Sequence, residues 1–490
     1  MKGEGMHHST QDVRTYFQKE FNHANDLIIH TLSWNHKPIH IVYLITLVNE
    51  QSIQDGVLTP LKHTAKGEFL QTITLGQMQI TCLLEQAVDA LLRGYCVIYF
   101  DDDADLYLFH TPSSYQRSIT EPVNEKVLGN SHEGFIERLD INLHLIRKKI
   151  TSQHLAIRYA HVGLEADTKL AIVYMDQLAN LEIVEEINKR IAEISIDYIS
   201  SVGIVEQFIE DAPYSPFPQV LSTERVDRVS ANLMEGRIAL LADGSSNAII
   251  LPVSFFAFYQ SPDDYNLRIL NGSFFRLLRV SSFFIAITLP AIYIAVVSFH
   301  FETIPNELVL PMQNAVLDIP FPPIMEAMLM ELTVELIREA GLRLHSAVGQ
   351  TIGVVGGLVI GDAIVRVGLV SNIMIVVVAL TAISSFVVPS YEFRETLRIL
   401  RFPIMILAAS FGFLGIAFGL SILLIHMCKL EVLGIPYFYP LSPLNWKGMK
   451  DTFIRMSIWQ MNQRPQDSKP QKKWRNLWLR GSVKHGRNKK

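Results

Sequence analysis

The sequence predicts two α/β modules in a soluble amino-terminal half, followed by an α-helical transmembrane domain of about four spans. Two observations carry that expectation. Hydrophobic residues make up 49% of the 490 and mean hydropathy is +0.23, too high for a wholly soluble chain and too low for one that is membrane throughout. The charge-free stretches are confined to about residues 280–428, whereas before about residue 265 charged and apolar positions mix as in ordinary globular domains. The second observation is that short β-branched runs in this first half alternate with amphipathic stretches, as α/β units do. The expected divisions are a first module over 1–126, a second with a linker helix over 127–265, a helical membrane domain over 266–428 and a basic tail over 429–490.

Residues 26–30 and 38–48 read as buried strands, 82–93 as a helix stopped by Gly94, and 95–100 and 105–109 as two further strands joined by an acidic turn. The second stretch repeats the plan: strands at 155–161 and 170–174, a helix over 181–194, and strands at 237–242 and 247–253. Ile41-Val42-Tyr43 matches Ile172-Val173-Tyr174, and Gly94 to Asp101 matches Gly236 to Asp243, which suggests an internal duplication. Between the modules, 134–150 carries Phe135, Leu139, Leu143 and Ile146 on one helical stripe. Its last turn, Arg147-Lys148-Lys149, complements the helix dipole.

Catalysis finds no foothold in the sequence, and we expect neither an enzyme nor a cofactor. Asp101-Asp102-Asp103 opens like a calcium loop, but Leu106 and Pro112 stand where the Gly and the bidentate Glu would be needed, so a hairpin turn is the better reading. His132-Glu133 lacks a second His at helical spacing. Asp243-Gly244 reads as a two-residue hairpin turn. The three cysteines, Cys82, Cys96 and Cys428, form no zinc or disulfide pattern. No metal site and no nucleic-acid partner are expected. The opening MKGEGMHHSTQDVR has no apolar run, so insertion is expected from internal spans, with a cytoplasmic amino-terminal half.

The first span is expected at 280–301, with Arg268, Arg276 and Arg279 before it and Glu302, Glu307 and Asp318 after it, so the positive-inside rule keeps the amino-terminal half in the cytoplasm. Next, 321–344 places Glu331, Glu335 and Glu339 at intervals of four on a Met- and Leu-rich helix. Such a stripe cannot face lipid; an interfacial helix with a solvated acidic face and an ion-attracting ring both fit it. The stretch 346–361 carries Gly349, Gly353, Gly357 and Gly361 every fourth residue, a bare ridge that lets helices approach closely. Gln350 and Thr351 at one end, Asp362 at the other, and Val355 and Val359 between them also suit a pore with a hydrophobic gate. This short stretch is read as either spanning or re-entrant, and ordinary tight helix pairing explains the glycines equally well. Further spans are expected at 367–391 and 402–428, with Arg394, Arg398 and Arg401 in the loop between them. The tail after Pro440 holds thirteen Lys and Arg against two Asp, and with Trp446, Trp459, Trp474 and Trp478 it suits an anionic lipid surface.

Three long segments, 232–268, 320–344 and 349–386, together with the 133–150 helix, closely resemble the signature segments of the GerA-type spore germination family, A subunit. The resemblance covers roughly residues 20–440. Local departures are Asn130-Ser131 before His132, and Asn49 where an acidic residue is common. The resemblance implies a subunit of a nutrient germinant receptor in the spore inner membrane, multi-pass, with cytoplasmic amino-terminal domain and tail. It implies partners in a permease-like, nutrient-binding B subunit and a C-subunit lipoprotein, and assembly of A subunits into an oligomeric ion channel. A small-solute secondary transporter and a non-conducting membrane scaffold are the competing classes. The former usually repeats sets of broken spans, for which about four spans leave little room.

Overall fold

The computed structural model describes residues 10–63, 73, 75, 78–113, 133–317, 319–343, 357, 363–364, 366–446 and 448–475. They form two compact units: an α/β unit of Met1–Pro213, Val220–Val253 and Trp459–Lys490, and a helical unit of Tyr214–Gln219 and Ser254–Ile458.

The α/β unit contains two five-stranded antiparallel sheets with one topology. β1 (Leu27–Trp34), β2 (Lys37–Leu44), β3 (Met78–Thr81), β4 (Tyr95–Phe100) and β5 (Leu106–His110) are ordered β1-β2-β4-β5-β3. β6 (Leu155–Val162), β7 (Thr168–Met175), β8 (Leu221–Thr223), β9 (Ile238–Ala242) and β10 (Ala248–Leu251) are ordered β6-β7-β9-β10-β8. The sequence matches fall at equivalent places: Ile41–Tyr43 lies in β2 and Ile172–Tyr174 in β7. Gly94 and Gly236 both sit at positive φ, 80° and 88°, just before β4 and β9. Only a residue without a Cβ takes that turn cheaply.

The first sheet is covered on both faces. Val42, Leu44, Val97 and Tyr99 pack against Phe17 and Phe21, borne by or just beyond the Thr10–Glu20 helix, and against Val88 and Leu91 of the Leu84–Leu91 helix. The alternate residues Ile39, Ile41, Tyr43 and Ile98 face Ile53 and Val57. A strand buried on both sides reads as a continuous apolar run, which is why the sequence extends the second strand to residue 48. It ends at Leu44, and Asn49 caps the following Glu50–Ile53 helix by accepting from the Ser52 amide at 3.3 Å. Asn and Asp serve that position equally well, so the departure at Asn49 keeps the local chemistry. The sequence reading also misses the tight β1–β2 turn, where Asn35 and His36 both take positive φ.

Asp243-Gly244 does not make a two-residue turn. Five residues separate β9 from β10, because the Asp243 carboxylate turns to accept from the Leu139 amide and caps the linker helix at 3.1 Å. That helix spans Leu139–Lys149, shorter than the expected 134–150, since Gly134 is bridged to Arg225 in extended backbone. Arg147 is no solvated dipole partner. It is wholly buried and clasps Asp26, 121 residues earlier, with N–O distances of 2.7–3.1 Å. Its remaining donors go to the carbonyls of Ser152 and Leu155, and Thr46 donates to the same Asp26 carboxylate. One saturated ion pair therefore braces the first module against the second.

In the helical unit, one helix among the described residues is long and apolar enough to cross a membrane, Ile269–Phe299. Its 31 residues extend roughly 46 Å at 1.5 Å each. The expected four spans are corrected in two places. The stretch 367–391 yields only Asn372–Val387, 16 residues, begun by the Ser371 cap on the Met374 amide. The stretch 402–428 is not one helix: Gly412, at φ 60° and ψ −137°, separates Tyr391–Phe411 from Phe413–Lys429. The two pack as a hairpin. A Cβ on Gly415 would collide with the Leu407 carbonyl, and one on Gly419 would lie 2.5 Å from Ile404 Cδ1. Glycines are needed here so that the two backbones can touch.

Arg394, Arg398 and Arg401 accordingly lie in the Tyr391–Phe411 helix and in no loop. Phe217, Phe255, Phe258, Phe283, Phe393 and Tyr437 stack into an aromatic core. The expected tail 429–490 divides: 430–458 belong to the helical unit and 459–475 to the α/β unit. There Asp467 pairs with Arg237 at 2.7 Å, and Gln471 bonds the backbone of Asp176, Leu178 and Ala179.

Candidate functional site

The acidic stripe of the sequence divides when folded. Glu331 and Glu335 sit one turn apart on the Pro323–Arg343 helix, with Arg338 following on the same face. Glu395, Arg398 and Arg401 recur every third residue on Tyr391–Phe411. The stripes meet. Glu331 is fully buried and pairs with Arg401, itself 1% exposed. Glu335 lies 3.0 Å from Arg338 Nε, 3.6 Å from Arg398 Nη1 and 3.5 Å from Arg401 Nη2. Glu395 takes Arg338 at 3.0 Å and also Arg398. Three carboxylates balance three guanidiniums. Glu339 stands apart, exposed and paired only along its own helix with Arg343 at 2.7 Å.

Charge balance does not saturate the network. Glu331 Oε1 and Arg401 Nε are buried without a hydrogen-bond partner. Desolvated ions held this way cost several kcal/mol each unless their partners compensate, so the two helices are held together by groups with unused bonding capacity. Nearby in the fold, Tyr293 of the long helix donates to Glu326 at 3.4 Å and meets Ser371 Oγ at 3.0 Å. That knits Ile269–Phe299, Pro323–Arg343 and the cap of Asn372–Val387 at one buried node.

At the start of the long helix, Arg276 is fully buried between Asp264 at 3.4 Å and Asp451 at 3.0 Å, and Arg279 meets Asp264 at 2.8 Å. Two of the three arginines counted in the topology expectation, Arg276 and Arg279, are therefore structural ion-pair partners. Of the proposed pore residues, Gln350, Thr351, Gly353, Val355, Val359, Gly361 and Asp362 lie outside the described residues. Gly357 is helical and exposed, and among the described residues none lies within 4 Å of a Cβ built there.

The family model for the Bacillus/Clostridium GerA spore germination protein matches residues 15–467. The chain belongs to the GerA family. It is similar to the uncharacterized membrane protein YfkQ of Bacillus subtilis, 38% identical over 87% of this chain and 84% of that protein. It is also similar to spore germination protein GerQA of Bacillus cereus, 37% identical over 95% of this chain and 94% of that one. Against spore germination protein KA of Bacillus subtilis, identity is 34% over 92% and 85%. Among solved structures, the N-terminal domain of the A subunit of the Bacillus megaterium spore germinant receptor GerK3 aligns with 52% of this chain and 99% of its own, at 26% identity and a TM-score of 0.40.

The GerA match includes every member of the glutamate–arginine network. Sequence reasoning found Glu331 and Glu335 and missed Arg338, Glu395, Arg398 and Arg401 as partners, in part because a topology that ended a span near Pro389 assigned Arg398 and Arg401 to a loop. The signal was present as two complementary stripes, Glu-x3-Glu-x2-Arg and Glu-x2-Arg-x2-Arg. Glu326 carried no signal, since its partners Tyr293 and Ser371 lie 33 and 45 residues away.

Proposed function

We propose that this chain is the membrane-embedded A subunit of a nutrient germinant receptor in the spore inner membrane, and that copies of it assemble into a nutrient-gated ion channel. A permease-like, nutrient-binding B subunit and a C-subunit lipoprotein complete the receptor. The observation that carries the reading is the family match, which runs through both the α/β unit and the helical unit with nearly full-length relatives named as spore germination proteins.

A multi-pass topology with both ends cytoplasmic is supported by how the chain closes on itself. Residues 220–253 before the helical unit and 459–475 after it belong to one folded body, stapled by Arg237 and Asp467. A chain that leaves and returns to one body crosses a bilayer an even number of times. In the proposed channel, Val355 and Val359 form a hydrophobic gate between the polar ends Gln350, Thr351 and Asp362, and the ridge of Gly353, Gly357 and Gly361 packs against a neighbouring helix.

The test is made in spores lacking other receptors of this family. Expressing the chain with its partner subunits is expected to restore nutrient-triggered ion release, and V355A or V359A to release ions without nutrient at normal protein level. No restored release would overturn the receptor reading. Release without any conductance from the purified assembly in planar bilayers would overturn the channel.

A further inference from the structure

Residues 459–475 do more than close the fold. They form a strap in which Gln463 and Trp474 bridge, and between it and the second module opens a cleft of about 1060 Å³. Its lining carries four cations, Arg464, Lys472, Lys473 and Arg475, and one carboxylate, Glu235. Among the described residues, Arg475 pairs with that carboxylate at 2.8 Å. Arg464 gives its donors to three neutral carbonyls, of Met234, Lys472 and Trp474, at 2.8–3.1 Å. Lys472 donates to the Gln177 amide oxygen, and Lys473 is exposed. Burial above all, and the neighbouring Arg475 after it, push Arg464 below its usual range, while Glu235 opposes the fall.

The other wall is apolar: Met175, Leu178 and Met234, with Trp474 65% exposed at the rim. We propose that this cleft is a binding site for a phosphate ester, its phosphate between Lys472 and Lys473 in the field of Arg464 and its apolar portion against Trp474 and the methionines. A phosphate brings up to two negative charges and several acceptor oxygens to the lysine ammonium groups that line the cleft, and the aromatic face of Trp474 beside cations suits a ring or an apolar chain. A soluble nucleotide and a phospholipid headgroup share this chemistry.

Native mass spectrometry of the full-length chain in detergent separates the two, with ADP and dioctanoyl-phosphatidylglycerol as probes and dioctanoyl-phosphatidylcholine as control. Binding of ADP assigns a soluble ligand; binding of phosphatidylglycerol alone assigns a headgroup. In either case the K472A/K473A variant is expected to weaken binding by roughly an order of magnitude, and K472R/K473R to keep it. Limited proteolysis at the strap checks that both variants remain docked. The proposal is overturned if neither probe binds better than phosphatidylcholine, or if the docked alanine variant binds as the parent does.

Discussion

Two buried arginine–carboxylate pairs, one in each unit, are built to opposite specifications. In the α/β unit, Arg147 and Asp26 leave nothing unpaired: two carbonyls and a threonine hydroxyl take up the capacity that the ion pair leaves over. In the helical unit, Arg401 and Glu331 are just as buried, yet one carboxylate oxygen and the Arg401 Nε have no partner. The first arrangement has one low-energy geometry and serves as a rigid brace. The second tolerates rearrangement, since shifting Arg401 toward Glu335, already 3.5 Å away, gives up little.

The largest effect is expected from removing one partner. Arg147→Met should destabilise the α/β unit by about 3–5 kcal/mol, since it strands Asp26 in the interior, and Arg401→Met should do similar damage in the helical unit. Denaturant titration of the full-length chain, followed by far-ultraviolet circular dichroism, measures both. If Arg147→Met unfolds at the parent's midpoint, the brace contributes nothing. The double substitutions then separate the two designs. D26L/R147M still orphans the Ser152 and Leu155 carbonyls and the Thr46 hydroxyl, each costing about 1–3 kcal/mol. E331M/R401M leaves few groups behind and should be near neutral, or stabilising by about 1–4 kcal/mol. Equal losses in the two doubles would erase the comparison.

Gly415→Val is expected to lose about 1–3 kcal/mol or more by overpacking the hairpin, with reduced protein level as the readout. A variant that accumulates normally would mean that the close approach at Leu407 is not needed. The smallest effect concerns His144, buried and bonded to the Thr46 carbonyl at 2.8 Å. Burial pushes its pKa down, with Lys148 adding to the fall and the Thr46 bond opposing it. The unfolded chain takes up the proton at about 6.5, above the folded value. Stability is therefore full above that pH and declines as pH falls through it toward the folded pKa. His144→Gln should flatten that decline in melting temperatures measured between pH 8 and 5, and identical slopes would show that His144 stays out of the linkage.

The sheet elements were legible because their information is local. β4, β5, β7 and β9 each announce themselves as apolar runs between turn residues, and Gly94 and Gly236 mark equivalent positions because both need positive φ. Family membership was legible too, since long segments carry it. Hydropathy alone misread the membrane half, for it averages over a window and cannot see a single residue such as Gly412 reverse the chain. The acidic stripe was visible as spacing, but its partners were not, because Arg398 and Arg401 lie about 70 residues away and pair only once two helices cross.

The sequence by itself determined what each segment can be: which runs form strands, which stretch is apolar enough to span a bilayer, which glycines relax the backbone, and to which family the chain belongs. The tertiary structure alone decided which charges neutralise one another. Asp26 with Arg147, Glu331 with Arg401 and Arg237 with Asp467 are each separated by 70 residues or more, and no local propensity relates them. Burial makes such pairs obligatory, since a charge removed from water must find its opposite wherever the fold brings one within reach.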